Sequence, residues 1–195
     1  MSYAEKFLKS KGQDCIILRN PPVKTKVSIV RSTKAIMSLA VREGFFEGLV
    51  LDDATLESGE FIKIRDTIFL VQTTSYDPQS TETAIFIAKC NATIRHQRYV
   101  DSVDENFNLI QEWQDVNPDI VHIPSFGEIV TYRIRQEDPG LLDGTKYTFQ
   151  VPKSLGVLEL DRISYNDKAY QVVSIDDIGL EGVYRIQLAV DLRPD

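Results

Sequence analysis

The sequence predicts a mainly β protein with two small β-barrel-like or sandwich domains and a few short helices. Three observations favour this class. Apolar and polar residues alternate along many short segments. Glycine, asparagine and aspartate turns separate these segments. A hairpin pattern also occurs twice, 101 residues apart. The length of 195 residues suits one or two domains of ordinary size.

Composition excludes several classes of protein. Apolar residues make up 43% of the chain and charged residues 26%, with 22 Lys and Arg against 29 Asp and Glu. The net charge of −7 disfavours a general nucleic-acid coat, which is normally basic. No run approaches the ~18 apolar residues that would cross a membrane. Two cysteines, Cys15 and Cys90, are too few for a disulfide framework.

Charge also divides the chain. Residues 99–132 contain seven acidic side chains and no lysine or arginine, whereas residues 1–98 have a balance of +3. Such an acidic stretch is typical of a connecting segment. The predicted organisation is an N-terminal arm over residues 1–26, a first barrel-like domain over 27–100, an acidic connector over 101–119 and a second barrel-like domain over 120–195.

Short helices are predicted at three places. In residues 3–12, Ala4, Phe7 and Leu8 have helical spacing and Gly12 provides a stop. The other two helices are expected over residues 35–41 and around residues 107–113. Strands are expected near residues 15–18, 27–29, 49–51, 62–71, 85–87, 129–134, 147–151, 162–165, 170–175 and 184–190.

The repeated hairpin gives the clearest internal relationship. With an offset of 101 residues, Ile62 aligns with Ile163, Phe69 with Tyr170 and Val71 with Val172, as the printed sequence shows. A polar turn lies between the two strands of each copy, at residues 65–66 and 166–167. The pattern favours a structural duplication over a coincidence of strand period.

Known catalytic motifs are missing from the sequence. There is no glycine-rich phosphate loop, nucleophile elbow or zinc-protease motif. His96 and His122 do not have the spacing of a zinc site with Cys15 and Cys90. We therefore expect no enzymatic activity, no cofactor and no metal.

The hairpin also resembles a known family. Asp161-Arg162-Ile163, a polar turn and then Tyr170-Gln171-Val172 look like the core of the head-completion and head–tail connector proteins of tailed bacteriophages. This stopper, or head-closure, family consists of small β-barrels. Glu60-Phe61-Ile62 followed by Phe69-Leu70-Val71 is a weaker copy. Family members usually have a single barrel, so the second copy is a departure.

The resemblance implies a structural virion protein of the phage neck. Such a protein would form a six- or twelve-fold ring of identical copies that connects the capsid to the tail and helps to retain or channel DNA. Its implied partners are a portal or adaptor protein and a tail-tube or tail-terminator protein. Non-specific contact with DNA in the channel is also implied, and contact with a membrane is not. Assembly would take place in the host cytoplasm. The alternatives are a tail-terminator, tail-completion or baseplate role, or a non-viral binding module of two barrels.

Two sets of candidate contact residues follow. The arm has six basic and two acidic residues, so it suits an acidic neighbour, and residues 1–12 would then be dispensable for barrel folding. Its candidate partner-binding residues are Phe7, Leu8, Ile16, Ile17, Lys24 and Lys26. The candidate residues that face a channel or a basic partner are Asp101, Asp104, Glu105 and Asp115. Two simpler interpretations stay open, an arm that packs on its own barrel and an acidic surface that is only solvated.

Overall fold

Strands dominate the protein and close into two barrels of six strands each. The computed structural model describes residues 3–32, 44–51, 55–76, 82–103 and 107–194. Strands account for 58% of these residues and helices for 12%, which confirms the predicted mainly β class. A closed barrel pairs every strand on both sides, so it leaves no sheet edge open to other chains.

The first barrel follows one helix, α1 (Tyr3–Lys11). Its strands are β1 (Gln13–Ile17), β2 (Val23–Arg31), β3 (Phe45–Leu51), β4 (Phe61–Ile64), β5 (Thr67–Tyr76) and β6 (Glu82–Lys89). They are arranged in the order β1-β2-β3-β6-β5-β4, and antiparallel pairing of β1 with β4 closes the barrel.

The second barrel has the order β7-β9-β10-β13-β12-β11, closed by pairing of β11 with β7. Its elements are β7 (Ala92–Val103), β8 (Leu109–Asp115), β9 (Ile123–Ile129), α2 (Tyr132–Glu137), β10 (Tyr147–Pro152), β11 (Arg162–Tyr165), β12 (Lys168–Leu180) and β13 (Val183–Val190). Short 3₁₀ helices lie at Pro118–Ile120 and Lys153–Leu155. Strand β8 pairs with β7 and adds a seventh strand to this sheet.

The chain forms two compact units. The first contains Met1–Cys90, Val151–Ser154 and Asp177–Tyr184. The second contains Asn91–Gln150, Leu155–Asp176 and Arg185–Asp195. Parts of β10, β12 and β13 therefore belong to the first unit, so the structure does not divide the chain at a single connector.

Alternating apolar residues fill the interiors of the two barrels. In the first barrel Ile62, Phe69 and Val71 are buried, and in the second Ile163 and Val172 are buried. Successive side chains of a strand point to opposite faces, so these residues share the inner face. Burying such a side chain stabilises the fold by about 1.5–3 kcal/mol.

The predicted hairpin repeat is present in the structure. Ile62 lies opposite Phe69 in the β4–β5 hairpin, and Ile163 lies opposite Tyr170 in the β11–β12 hairpin. In the second turn Asn166 and Asp167 both have positive φ, as a tight hairpin turn requires. The sequence pattern was therefore sufficient to identify both hairpins and their register.

Duplication extends to the whole barrel. Strands β1 to β6 correspond in connectivity to β7, β9, β10, β11, β12 and β13. Backbone hydrogen bonds outside the strands repeat as well. The Val71 amide donates to the Glu60 carbonyl, and the Val172 amide donates to the Asp161 carbonyl, each at 2.9 Å. The two barrels are thus two copies of one fold.

The two barrels place a glycine and a large apolar residue on opposite strands of one cross-strand pair. Ile29 lies opposite Gly48 in the first barrel, and Gly127 lies opposite Phe149 at the corresponding place in the second. A Cβ on Gly48 would lie 2.8 Å from Cγ2 of Ile29, and one on Gly127 would lie 2.3 Å from the Phe149 ring. The large residue therefore changes strand, and glycine makes room for it in each copy.

Two secondary-structure predictions are wrong. Residues 109–115 form strand β8 rather than a helix, because the long strand β7 offers a hydrogen-bonding partner along its outer half. The strand predicted near residues 129–134 ends at Ile129, and α2 follows. Its N-cap is Thr131, whose side chain accepts from the Ile134 amide. The helix predicted over residues 35–41 lies outside the described residues.

The predicted N-terminal arm also differs from the structure. Strand β1 and the start of β2 form part of the barrel wall, where Ile17 pairs with Ile62 and is fully buried. Helix α1 packs against β2 and β3, and its Leu8 is fully buried. Because these apolar side chains complete the first unit, residues 1–26 are not a detached arm.

We expect Leu8→Ala to lower the free energy of unfolding by about 3 kcal/mol, because it removes a fully buried side chain. The neighbouring Phe7 is 45% exposed, so Phe7→Ala is a matched control that should cost less than about 1 kcal/mol. Urea unfolding of both variants measures the difference. Equal losses would contradict the packing of α1, and deletion of residues 1–12 should likewise destabilise the first unit.

Candidate functional site

Comparison of the two barrels separates a common framework from what the second barrel adds. Ile17 pairs with Ile62, and His96 pairs with Ile163, so His96 takes the place of Ile17 at an offset of 79 residues. The hairpins have an offset of 101, so the second copy has 22 extra residues (101 less 79) between these positions. Most of the addition is strand β8 and its connections. This part, which the first copy lacks, is the candidate site.

The added strand forms a ribbon with the outer half of β7. Here the β7–β8 ribbon means residues 97–103 and 109–115, which pair in antiparallel register from Gln97↔Asp115 to Val103↔Leu109. Among the described strands, β8 is the one that has a neighbour on one side only along its whole length. The ribbon thus restores a sheet edge that barrel closure removes.

Hydrogen bonds to the Asp161 carboxylate hold the base of the ribbon to the barrel. Arg98 donates through Nε to Oδ1 of Asp161 at 2.8 Å and through Nη2 to Oδ2 at 2.7 Å. His96 Nε2 lies 2.7 Å from Oδ2, and the Leu158 amide donates to the same oxygen at 2.8 Å. Burial opposes ionisation of Asp161, but the hydrogen bonds from Arg98, His96 and Leu158 outweigh it and lower the pKa to about 2.

The first barrel has the same arginine clamp, meaning an arginine that binds both a carboxylate and a loop carbonyl. The clamp therefore belongs to the framework that the two barrels share. Arg19 Nη2 donates to Oε2 of Glu60 at 2.6 Å and to the Thr55 carbonyl at 3.3 Å. The Glu57 amide donates to the same carboxylate at 2.9 Å. Arg98, Asp161, Gly156 and Leu158 make the corresponding bonds in the second barrel. The added feature of the second copy is His96.

The Trp113 side chain joins the ribbon to the C-terminal segment of the chain. The guanidinium carbon of Arg162 lies 3.9 Å from the centre of the Trp113 ring, and that of Arg193 lies 4.7 Å away. Tyr99 packs beside the ring at 5.0 Å, and the indole Nε1 donates to the Pro194 carbonyl at 3.1 Å. Cation–π contacts of this kind stabilise by about 0.5–2 kcal/mol.

A buried ion pair supports this stack. Arg162 Nε donates to Oδ2 of Asp191 at 2.8 Å, and both side chains are almost inaccessible. Arg193 donates to the same carboxylate through its backbone amide and its side chain. Burial opposes ionisation of Asp191, but these bonds outweigh it and lower its pKa to about 2. The C-terminal segment is therefore held on the ribbon by buried charge.

A cleft of about 810 Å³ lies next to Trp113 in the second unit. Its walls combine aromatic rings with cationic, amide and acidic side chains, the last from Glu112 and Asp167. They include Arg95, Gln97, Trp113, His122, Tyr165 and Lys168. The cleft therefore suits a polar, extended ligand better than an apolar one.

The predicted partner-binding residues differ in their exposure to solvent. Leu8 and Ile17 are fully buried in the first unit, so they cannot contact a partner while that unit is folded. Phe7 and Lys24 are exposed. Ile16 and Lys26 are half-buried, and Lys26 forms an ion pair with Asp14. The exposed members stay predictions as contact residues.

The predicted acidic residues lie on the ribbon where the structure describes them. Asp101 is exposed on β7, and Asp115 ends β8. Arg95 donates to both carboxylate oxygens of Asp115, at 2.6 and 2.8 Å, and these bonds lower its pKa. Asp104 and Glu105 lie outside the described residues. The predicted site residues did not include Arg98, Asp161 or Trp113.

Cys15 is buried and Cys90 is half-buried in the structure. Burial raises the pKa of Cys15 to about 11 and that of Cys90 to about 12, so both thiols are protonated at neutral pH. Within the described ranges, no group of three or more histidine, cysteine or acidic side chains could hold a metal ion. None of the helices described is long and apolar enough to cross a bilayer.

Comparison with known proteins adds no relative. No protein-family model matches the chain, and no curated protein matches it.

We expect Asp161→Asn to lower the free energy of unfolding by about 1–3 kcal/mol at neutral pH, because Arg98, itself one-third exposed, loses its ionised partner. The folded pKa of Asp161 is about 2, below the ordinary value of 3.8. The stabilisation is therefore present above about pH 4 and is lost as pH falls toward 2. Urea unfolding across this range should show the difference between variant and wild type narrowing in acid.

Glu60→Gln is the matched control for that experiment. The Arg19 and Glu60 side chains are 31% and 23% exposed, so their pair is worth less than the buried pair at Asp161. A loss as large as that of Asp161→Asn would contradict the assigned role of burial.

We expect Arg193→Ala to shift the fluorescence of Trp113 to longer wavelength, because the variant uncovers one face of the ring. Trp113 is the single tryptophan of the sequence, so its emission reports on the ribbon alone. Arg133→Ala, which removes an exposed pair with Glu137 in α2, is the control and should leave the emission unchanged. Equal spectra for both variants would contradict the stacking.

Proposed function

We propose that the protein is a structural component of a tailed-phage neck that forms a ring between the portal and the tail. The observation that supports this function is the resemblance of both β-hairpins to the core of the head-completion family. The hairpins occupy the same place in two barrels of identical connectivity. The exposed acidic side chains Asp101 and Glu112 on the ribbon also fit an assembly role.

Charge supports assembly through unlike surfaces. The first unit contains 13 basic and 13 acidic residues, and the second contains 9 basic and 16 acidic residues. The whole net charge of −7 therefore resides in the second unit. Two second units repel each other, whereas a second unit meets no net repulsion from the first unit of a neighbour. Contacts between unlike surfaces are those that generate a closed ring.

The acidic ribbon also fits a position near DNA. The exposed Asp101 and Glu112 of the ribbon would repel phosphate and let duplex DNA pass without sticking. The partners in this proposal are a portal or adaptor protein on one side and a tail-tube or tail-terminator protein on the other. A tail-terminator, tail-completion or baseplate position would use the same surfaces.

Electron microscopy of the phage particle tests the proposal. A small tag fused to the chain should appear as a ring of density between capsid and tail. The purified protein should be a monomer by light scattering, because its net charge disperses free copies. Absence of the chain from particles would contradict the function. So would submicromolar binding of single-stranded DNA at low salt, which would favour a non-viral binding module.

A further inference from the structure

The edge of β8 that faces away from β7 has backbone amide and carbonyl groups that could pair with another strand. The Val116 amide donates to the His96 carbonyl at 3.1 Å, directly across the β7–β8 ladder. Hydrogen-bonded pairs alternate in an antiparallel ladder, so Gln114 and Glu112 bond to β7. The amide and carbonyl groups of Gln111, Trp113 and Asp115 therefore point away from β7. No described strand pairs with that side of β8.

We propose that β8 is a docking edge to which an extended, lysine- or arginine-bearing segment of a partner protein adds as the next strand. Main-chain hydrogen bonds to Gln111, Trp113 and Asp115 would supply affinity, as in other cases of strand addition. This inference rests on strand pairing and charge, and it holds whether or not the protein belongs to a phage neck.

Charge identifies the class of partner. On the described ribbon, Asp101 and Glu112 are exposed acidic side chains, whereas Asp115 is paired with Arg95. On β8 itself, Glu112 is exposed, and Gln114 Nε2 donates to it at 2.7 Å. A cationic side chain directly opposite Glu112 on an added strand would lie within pairing distance. An acidic segment would be repelled at the same place.

Charge also disfavours a second copy of β8 as the occupant. Pairing two β8 edges would bring the acidic residues of two ribbons together, and like charges across a strand pair are destabilising. The edge is thus protected from self-association while it stays open to a basic strand, a known use of charge on edge strands. Its position outside the duplicated framework means that the barrels do not need it for closure.

A labelled peptide of alternating lysine and valine tests the proposal by fluorescence anisotropy with the full-length protein. We expect Gln111→Pro to weaken binding about fivefold, because proline removes one outward-facing backbone donor. Gln111→Ala is the matched control and should bind like the wild type. Proline at an edge position leaves the bonds between β7 and β8 in place, and unchanged Trp113 fluorescence would verify that the ribbon persists.

Two further probes separate strand addition from simple attraction between opposite charges. The same peptide with alternate amides N-methylated keeps its charge but cannot complete a ladder, so it should bind at least about fivefold more weakly. A glutamate–valine peptide should not bind. Equal binding of the methylated peptide, equal binding by Gln111→Pro and wild type, or dimerisation of the protein through β8 would each overturn the proposal.

Discussion

An ion pair between an arginine and a carboxylate lies at the point where each barrel closes, and its carboxylate is buried in the second barrel. Closure brings the first strand of each copy beside the fourth, across 41 residues in the Arg19–Glu60 pair and 63 in the Arg98–Asp161 pair. The arginine also binds a carbonyl in the loop that leads to the fourth strand. In the second barrel, loss of Arg98 would leave the buried Asp161 carboxylate without its charged partner. This cost disfavours other arrangements of the chain where the first and fourth strands meet.

The second copy adapts this corner to support the ribbon. Strand β7 continues past Arg98 into the ribbon, whereas β1 ends at Ile17. His96 replaces the buried Ile17 and adds a third group to the Asp161 carboxylate. The ribbon therefore leaves the barrel next to Arg98, which donates two hydrogen bonds to the Asp161 carboxylate. Further along, the Trp113 stack fixes the opposite strand.

The sequence predicted structure correctly where the residue numbers of the two copies differ by one constant offset. The β4–β5 and β11–β12 hairpins align without a gap, so their register and the mainly β class could be predicted. The arginine of each clamp could not be matched, because the insertion changes its offset from 101 to 79 residues. Strand β8 was mistaken for a helix because its structure depends on pairing with β7. The contact of Trp113 with Arg193 joins residues that only the fold brings together.

A protein made only of closed barrels must contact its neighbours through side chains and loops, because closure uses up the backbone groups of every strand. The presence of β8 changes that constraint in one copy. It leaves outward-facing backbone groups of Gln111, Trp113 and Asp115 with no partner among the described strands, next to the exposed Glu112. Backbone pairing alone is promiscuous, since any strand can supply it. Acidic side chains beside the open edge restrict the choice by opposing identical copies and favouring a basic strand.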